Sequence, residues 1–259
     1  MAATSLDTMP PDVLAWERYR AVLFDLDGVV TPTADVHLRA WTEMFNAFLV
    51  HRDARQPAFT VTDYHQFVDG KPRYDGVRSF LLSRGITLPE GSPDDAPTAE
   101  TVCGLGNRKN EVFNEVLERD GVQAYPGSVA FIDYLERLGV PMAIVSSSAN
   151  AVKVLDAAGM RGRFATIVDG VVARAQHLAG KPHPDTFLYG AQQLGATAED
   201  SVVLEDAVSG VQAGAAGAFA QVIGVDRGAG AANLAAAGAT IVVSDLAELV
   251  PAAREGENA

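Results

Sequence analysis

The chain has 259 residues, of which 48% are hydrophobic and 20% charged, a balance expected of a globular protein with one large α/β domain or a core plus an insert. Lysine and arginine number 20 against 33 aspartates and glutamates; the net charge of -13 argues against nucleic acid or an anionic membrane surface as partner. An intrachain disulfide is excluded by the single cysteine, Cys103, and the MAATSLDTMPP start lacks the basic and apolar parts of a signal peptide, so a reducing cytoplasm is the expected compartment.

In chain order, AVLFD (21–25), VPMAIVSS (140–147), FATIVDG (164–170), SVVLED (201–206), FAQVIGV (219–225) and TIVVSD (240–245) are short apolar, β-branched runs that predict buried strands. Helical stretches lie between most of them, at Val129–Leu138, Ala151–Ala158, Pro184–Leu194 and Ser209–Ala216. Such alternation predicts βαβ units, and so a doubly wound parallel sheet with a Rossmann-like core. Right-handed crossovers then bring every strand's carboxyl end to one edge. From about Thr33 to Asp120 the periodicity is helical throughout, broken by the loop LPEGSPDDAPTAE (88–100). An inserted all-helical cap over 34–119 is the simplest division, with the core formed by 1–33 and 120–259.

The first strand breaks into Asp25-x-Asp27-Gly28, two carboxylates at the edge where open α/β sheets place ligands. One could attack phosphorus and the other move a proton, although Asp and Gly are also ordinary turn residues. The second predicted strand ends in Ser146, Ser147 and Ser148, with Asn150 entering a helix: an anion site or a plain N-cap. Lys181 sits between Gly180 and Pro182 in GKPHPD, rigidly placed for a phosphate or merely exposed in a loop. The fourth ends in Glu205-Asp206, oxygen ligands suited to Mg²⁺ or an acidic helix start favoured by the macrodipole. An anionic substrate would need such local cations, because the net charge repels it.

Taken together and in this order, the four segments resemble the motifs of the haloacid dehalogenase superfamily. FDLDGVVTPTADVHLRAW (24–41), VDGKPRYDGV (68–77), GNRKN (106–110), YPG (125–127), SSSAN (146–150), GKPHPDTFL (180–188) and LEDAVSGVQAG (204–214) resemble the beta-phosphoglucomutase-like family within it. That resemblance implies Asp25 as nucleophile, forming an aspartyl-phosphate, and Asp27 as general acid/base with its backbone carbonyl on Mg²⁺. Asp206 would complete the metal's protein ligands, with Glu205 supporting it directly or through water. Ser146 and Lys181 would hold the transferring phosphoryl group, with Ser147 and Asn150 near it. From the cap, Arg73 would grip a distal phosphate beside Gly70, Lys109 would contact the sugar phosphate, and His37 would lie on the substrate's cap side.

The implied activity is a cytoplasmic, monomeric phosphotransferase converting beta-D-glucose 1-phosphate to glucose 6-phosphate through the 1,6-bisphosphate. A sugar-phosphate phosphatase on the same core is the alternative. A catalytically silent binding protein is the third reading, which the intact set of five core residues disfavours. Protonation of the leaving oxygen by Asp27 would be helped by a carboxyl pKa raised by its acidic neighbour. Three departures from the family pattern stand out: Pro32 between two threonines, Lys71 with Pro72 before Arg73, and a cap lengthened around 51–61 and 86–100.

Overall fold

The computed structural model describes residues 14–53 and 55–251, so the amino-terminal stretch read above lies outside the described residues. All six predicted strands form, as β1 (Ala21–Phe24), β2 (Met142–Val145), β3 (Thr166–Val168), β4 (Ser201–Glu205), β5 (Gln221–Val225) and β6 (Ile241–Val243). They make one parallel sheet of order β3-β2-β1-β4-β5-β6. Strand order reverses at β1, whose neighbours are β2 and β4, and the crevice at that reversal is where this architecture binds ligands.

Side chains alternate along β1, so Val22 and Phe24 face one apolar layer and Leu23 the other. The first layer packs α5 (Pro126–Leu138) and α6 (Ala151–Ala157) through Phe131, Ile132, Leu135, Val154 and Leu155. Across the sheet, α8 (Asp185–Gln193), α9 (Val208–Ala216) and α10 (Ala231–Ala237) contribute Phe187, Val211 and Leu234. Both faces are thereby covered, as an all-parallel sheet requires.

Between β1 and α5 the described residues are helical or irregular. α1 spans Thr33–Arg52, α2 (Val61–Asp63) runs into a π-helical turn at Tyr64–Val68, α3 spans Arg73–Ser83 and α4 spans Val102–Asp120. Their apolar faces, with Phe59 from the loop before α2, form a separate aromatic-rich cluster that includes Trp41, Phe45 and Phe80, with ring centroids of Phe45 and Phe80 4.2 Å apart. Ala40 of α1 and Phe113 of α4 belong instead to the sheet's first apolar layer, and so root the insert on the core. α7 (Gly170–Ala175) is capped by Asp169, whose carboxylate accepts from the N–H groups of Val171 and Val172. No described helix is long and apolar enough to cross a membrane.

Candidate active site

β1 delivers Asp25 at the point where the chain must turn away from the sheet. The turn is made at Gly28, whose φ of +88° favours glycine and whose missing Cβ leaves room for the Asp206 carboxylate. The Arg227 guanidinium, stacked 4.0 Å over the Tyr125 ring, donates to the Gly28 carbonyl at 3.1 Å and holds the turn from behind.

Lys181 is the central cation. Its Nζ donates to Asp25 Oδ1 at 2.5 Å, Glu205 Oε1 at 2.6 Å and the Val145 carbonyl at 3.1 Å, with only 2% of the residue exposed. Burial alone would favour the neutral amine, but Asp25 and Glu205 outweigh it and hold the ammonium protonated above its ordinary range. The other Glu205 oxygen accepts from the Ala207 N–H at 2.8 Å. Burial pushes the carboxyl groups of both Asp25 and Asp206 well up, and neighbouring carboxylates add to the effect. Asp25, Glu205 and Asp206 each bring an oxygen within 4.8 Å of the others. Lys181 serves only Asp25 and Glu205 of these three buried carboxylates, which leaves them short of positive charge, and an all-oxygen set of this kind fits a hard divalent cation such as Mg²⁺.

Asp27 faces the insert instead. It accepts a hydrogen bond from Thr33 Oγ1, lies 3.4 Å from Ser146 Oγ, and has His37 Nε2 3.3 Å from its Oδ1. Here the expected raised pKa is overturned. Burial does act upward, but His37, Thr33 and Lys109 prevail and bring the Asp27 carboxyl down to about 2. Lys109, buried under Trp41 and Phe113, contacts His37 Nδ1, and desolvation lowers its ammonium to about 7. Desolvation likewise lowers the His37 imidazole, with Lys109 adding to the shift, and the ring stacks on Phe113 at 4.2 Å.

Beyond the contacts of Asp27 with α1, three hydrogen bonds among the described residues tie the insert to the sheet edge. Ser147 Oγ donates to the Gly70 carbonyl at 2.7 Å, Ser209 Oγ to the Asp69 carbonyl at 2.8 Å, and Asn150 Nδ2 to Asn110 Oδ1 at 2.7 Å. Gly70 is at φ +70°, and a Cβ there would lie 2.3 Å from Ser209 Oγ, so this approach needs glycine. Ser147 therefore turns its hydroxyl to the insert, while Ser146 Oγ accepts from the Ser148 N–H at 3.1 Å.

One cleft thus gathers Asp25, Asp27, Ser146, Ser147, Asn150 and Asp206 from the sheet edge with His37, Gly70, Arg73 and Lys109 from the insert. Lys181 and Glu205 lie just beneath it. The motif reading passed over Trp41, Tyr64, Asp69 and Asn110, which line the same cleft, and Thr33 on Asp27. Thr33 carries a signal in the threonine pair around Pro32, and Trp41, Asp69 and Asn110 lie inside the segments 24–41, 68–77 and 106–110, whereas Tyr64 lies in none of them. Those threonines still hydrogen-bond, Thr31 Oγ1 to Thr33 Oγ1 at 2.8 Å, with Pro32 as the residue before α1. Lys71 turns to Ser79 Oγ at 3.0 Å, and Pro72 packs on Gly180 beside Lys181.

Residues 19–217 match the family model described as haloacid dehalogenase-like hydrolase. The chain is 50% identical over 242 residues to a beta-phosphoglucomutase of Mycobacterium bovis, covering 90% of this chain and 92% of that one. It is 30% identical over 201 residues to hexitol phosphatase A of Escherichia coli, covering 77% and 80%. The crystal structure of a beta-phosphoglucomutase from Clostridium difficile superposes with a TM-score of 0.73 at 22% identity, covering 90% of this chain and 93% of that one, which shows the common fold. The chain is an enzyme of the haloacid dehalogenase-like hydrolase family, in its beta-phosphoglucomutase-like branch.

Proposed function

We propose that this enzyme is a Mg²⁺-dependent beta-phosphoglucomutase that moves a phosphoryl group between beta-D-glucose 1-phosphate and glucose 6-phosphate through the 1,6-bisphosphate. The observation that carries the reading is one cleft in which a buried Asp25–Lys181 pair faces two cations of the insert, Arg73 and Lys109. A phosphatase needs to bind only the phosphate it cleaves. A mutase must also hold the phosphate that does not react, and the insert's cations are suited to that task.

Asp25 is the nucleophile in this reading, aligned by Lys181, which also neutralises phosphoryl oxygens. Asp25, Asp206 and the Asp27 backbone carbonyl would hold the ion, with Glu205 fixing Lys181 behind them. When bound, Mg²⁺ supplies further neutralisation of the phosphoryl charge. A carboxyl near 2 is ionised at neutral pH, so Asp27 enters the cycle as a base. It takes the proton of the sugar hydroxyl that attacks the aspartyl-phosphate, and the bisphosphate forms. The same carboxyl, now protonated, gives that proton to the leaving sugar oxygen when Asp25 attacks the second phosphate. Residues 34–119 act as the cap, excluding water while the aspartyl-phosphate waits for a sugar. The reaction belongs to the cytoplasm and to a monomer working on small sugar phosphates.

The test supplies beta-glucose 1-phosphate, Mg²⁺ and a trace of glucose 1,6-bisphosphate. Glucose 6-phosphate is expected to form much faster than inorganic phosphate. Dominant phosphate release from several sugar phosphates would establish the phosphatase instead, a reading to which the likeness to hexitol phosphatase A lends weight.

A further inference from the structure

A cavity of about 340 Å³ lies between α3 of the insert and α7 of the sheet layer, beside the catalytic cleft. We propose that it is a second anion subsite, in which Arg174 acts with Arg73 on the phosphate of the substrate that does not react. This rests on the mutase reading and adds a residue that none of the motifs contains.

Arg73 and Arg174 both line the cavity, and neither forms an ion pair among the described residues. By contrast Arg78, also on its wall, is neutralised by Asp75 at 2.5 Å and Glu90 at 2.7 Å. Burial lowers the Arg73 pKa and the nearby Arg174 charge lowers it further, so each cation is a cost to the other. An anion between them would turn that cost into attraction. Independently, Thr186 lines the same cavity with its hydroxyl buried and unpartnered, the residue being only 4% exposed. A buried hydroxyl without a partner costs free energy until something bonds it.

Size points the same way. The catalytic cleft is the narrower of the two and shares Arg73, Ser146, Ser147 and Ala149 with the larger cavity, so they are contiguous. A ligand with a phosphate at each end can therefore span the two. With a net charge of -13, the molecule offers such a ligand no general attraction, so local cations must provide it.

The test measures binding by calorimetry in an Asp25→Asn background, which removes turnover, with glucose 1,6-bisphosphate and inorganic phosphate as ligands. Arg174→Ala is expected to weaken the bisphosphate about tenfold or more while changing inorganic phosphate little, with partial recovery in Arg174→Lys. Arg174 is exposed, and an unchanged melting temperature would separate lost binding from lost folding. Equal weakening of both ligands, unchanged bisphosphate affinity, or a parent that binds bisphosphate no better than phosphate would each overturn the subsite. Phosphate release in the separate turnover assay would sink the mutase reading alone, because the two-ligand comparison requires no reaction.

Discussion

The sheet edge and the helical insert handle charge in opposite ways. At the sheet edge, Asp25, Glu205 and Asp206 are buried together while the single ammonium among them, that of Lys181, pairs with Asp25 and Glu205, so carboxylates outnumber cations. The insert brings Lys109 and Arg73, set against the aromatic rings of Trp41, Phe113 and Tyr74 and paired with no carboxylate among the described residues, so its cations lack the partners that the sheet edge supplies to Lys181. Neither region is balanced alone. In the proposed reaction a metal ion would complete the first and a phosphate the second. The difference extends to rigidity. The sheet residues sit on strands packed on both faces, whereas the insert touches the sheet edge through the backbone of Asp69 and Gly70, the Asn110 amide and the base of α1 and α4.

Substitutions can break this contrast, beginning with the sheet edge. Asp25→Asn is expected to lower turnover of any phosphate ester at least about a thousandfold, read by product formation; retained activity would refute the nucleophile. Lys181→Met strands two buried carboxylates and is expected to cost about 3–5 kcal/mol in urea unfolding. A change below about 1 kcal/mol would mean that the carboxylates are not ionised there. On the insert, Arg73→Ala is expected to reduce sugar bisphosphate turnover about tenfold to a hundredfold, and cleavage of a small artificial ester far less. Equal losses on both would remove the distal grip.

Lys109 gives a pH signature. The unfolded chain keeps this proton up to the ordinary 10.5 and the folded chain only to about 7. Between those values the unfolded state binds more protons, so the contribution of Lys109 to stability rises with pH across that window. Wild type should therefore gain stability relative to Lys109→Met from pH 7 to 10.5, and a flat difference would contradict the shift. The smallest effect is expected of Ser209→Ala, about 1 kcal/mol from one hydrogen bond to the insert.

The sheet edge was far more legible than the insert for the same physical reason. Six strands appear as β-branched runs, and each reactive group at their ends sits in a local motif that needs no distant partner to be noticed. The strands are shorter than the apolar runs that predict them. FATIVDG yields only Thr166–Val168, since Asp169 leaves the ladder to cap α7. Within the insert, the cleft-lining Trp41, Tyr64, Asp69 and Asn110 come from α1, the π-helical turn and its following loop, and α4. Their convergence depends on helix packing, which periodicity signals without specifying. The direction of the Asp27 pKa shift differs from the sequence expectation on this account. Its acidic neighbour Asp25 is visible in the sequence, while the stronger influences, His37 and Lys109, are brought to it by α1 and α4.

The central claim is that the phosphoryl group on Asp25 passes to a sugar rather than to water. It is tested most directly by charging the Mg²⁺-loaded protein with a small phosphoryl donor and following the lifetime of the aspartyl-phosphate by acid quench. With beta-glucose 1-phosphate present, the intermediate should vanish orders of magnitude faster than in buffer, with the phosphate recovered as glucose 1,6-bisphosphate and glucose 6-phosphate. Equal lifetimes with and without the sugar, and phosphate recovered as the free ion, would contradict it.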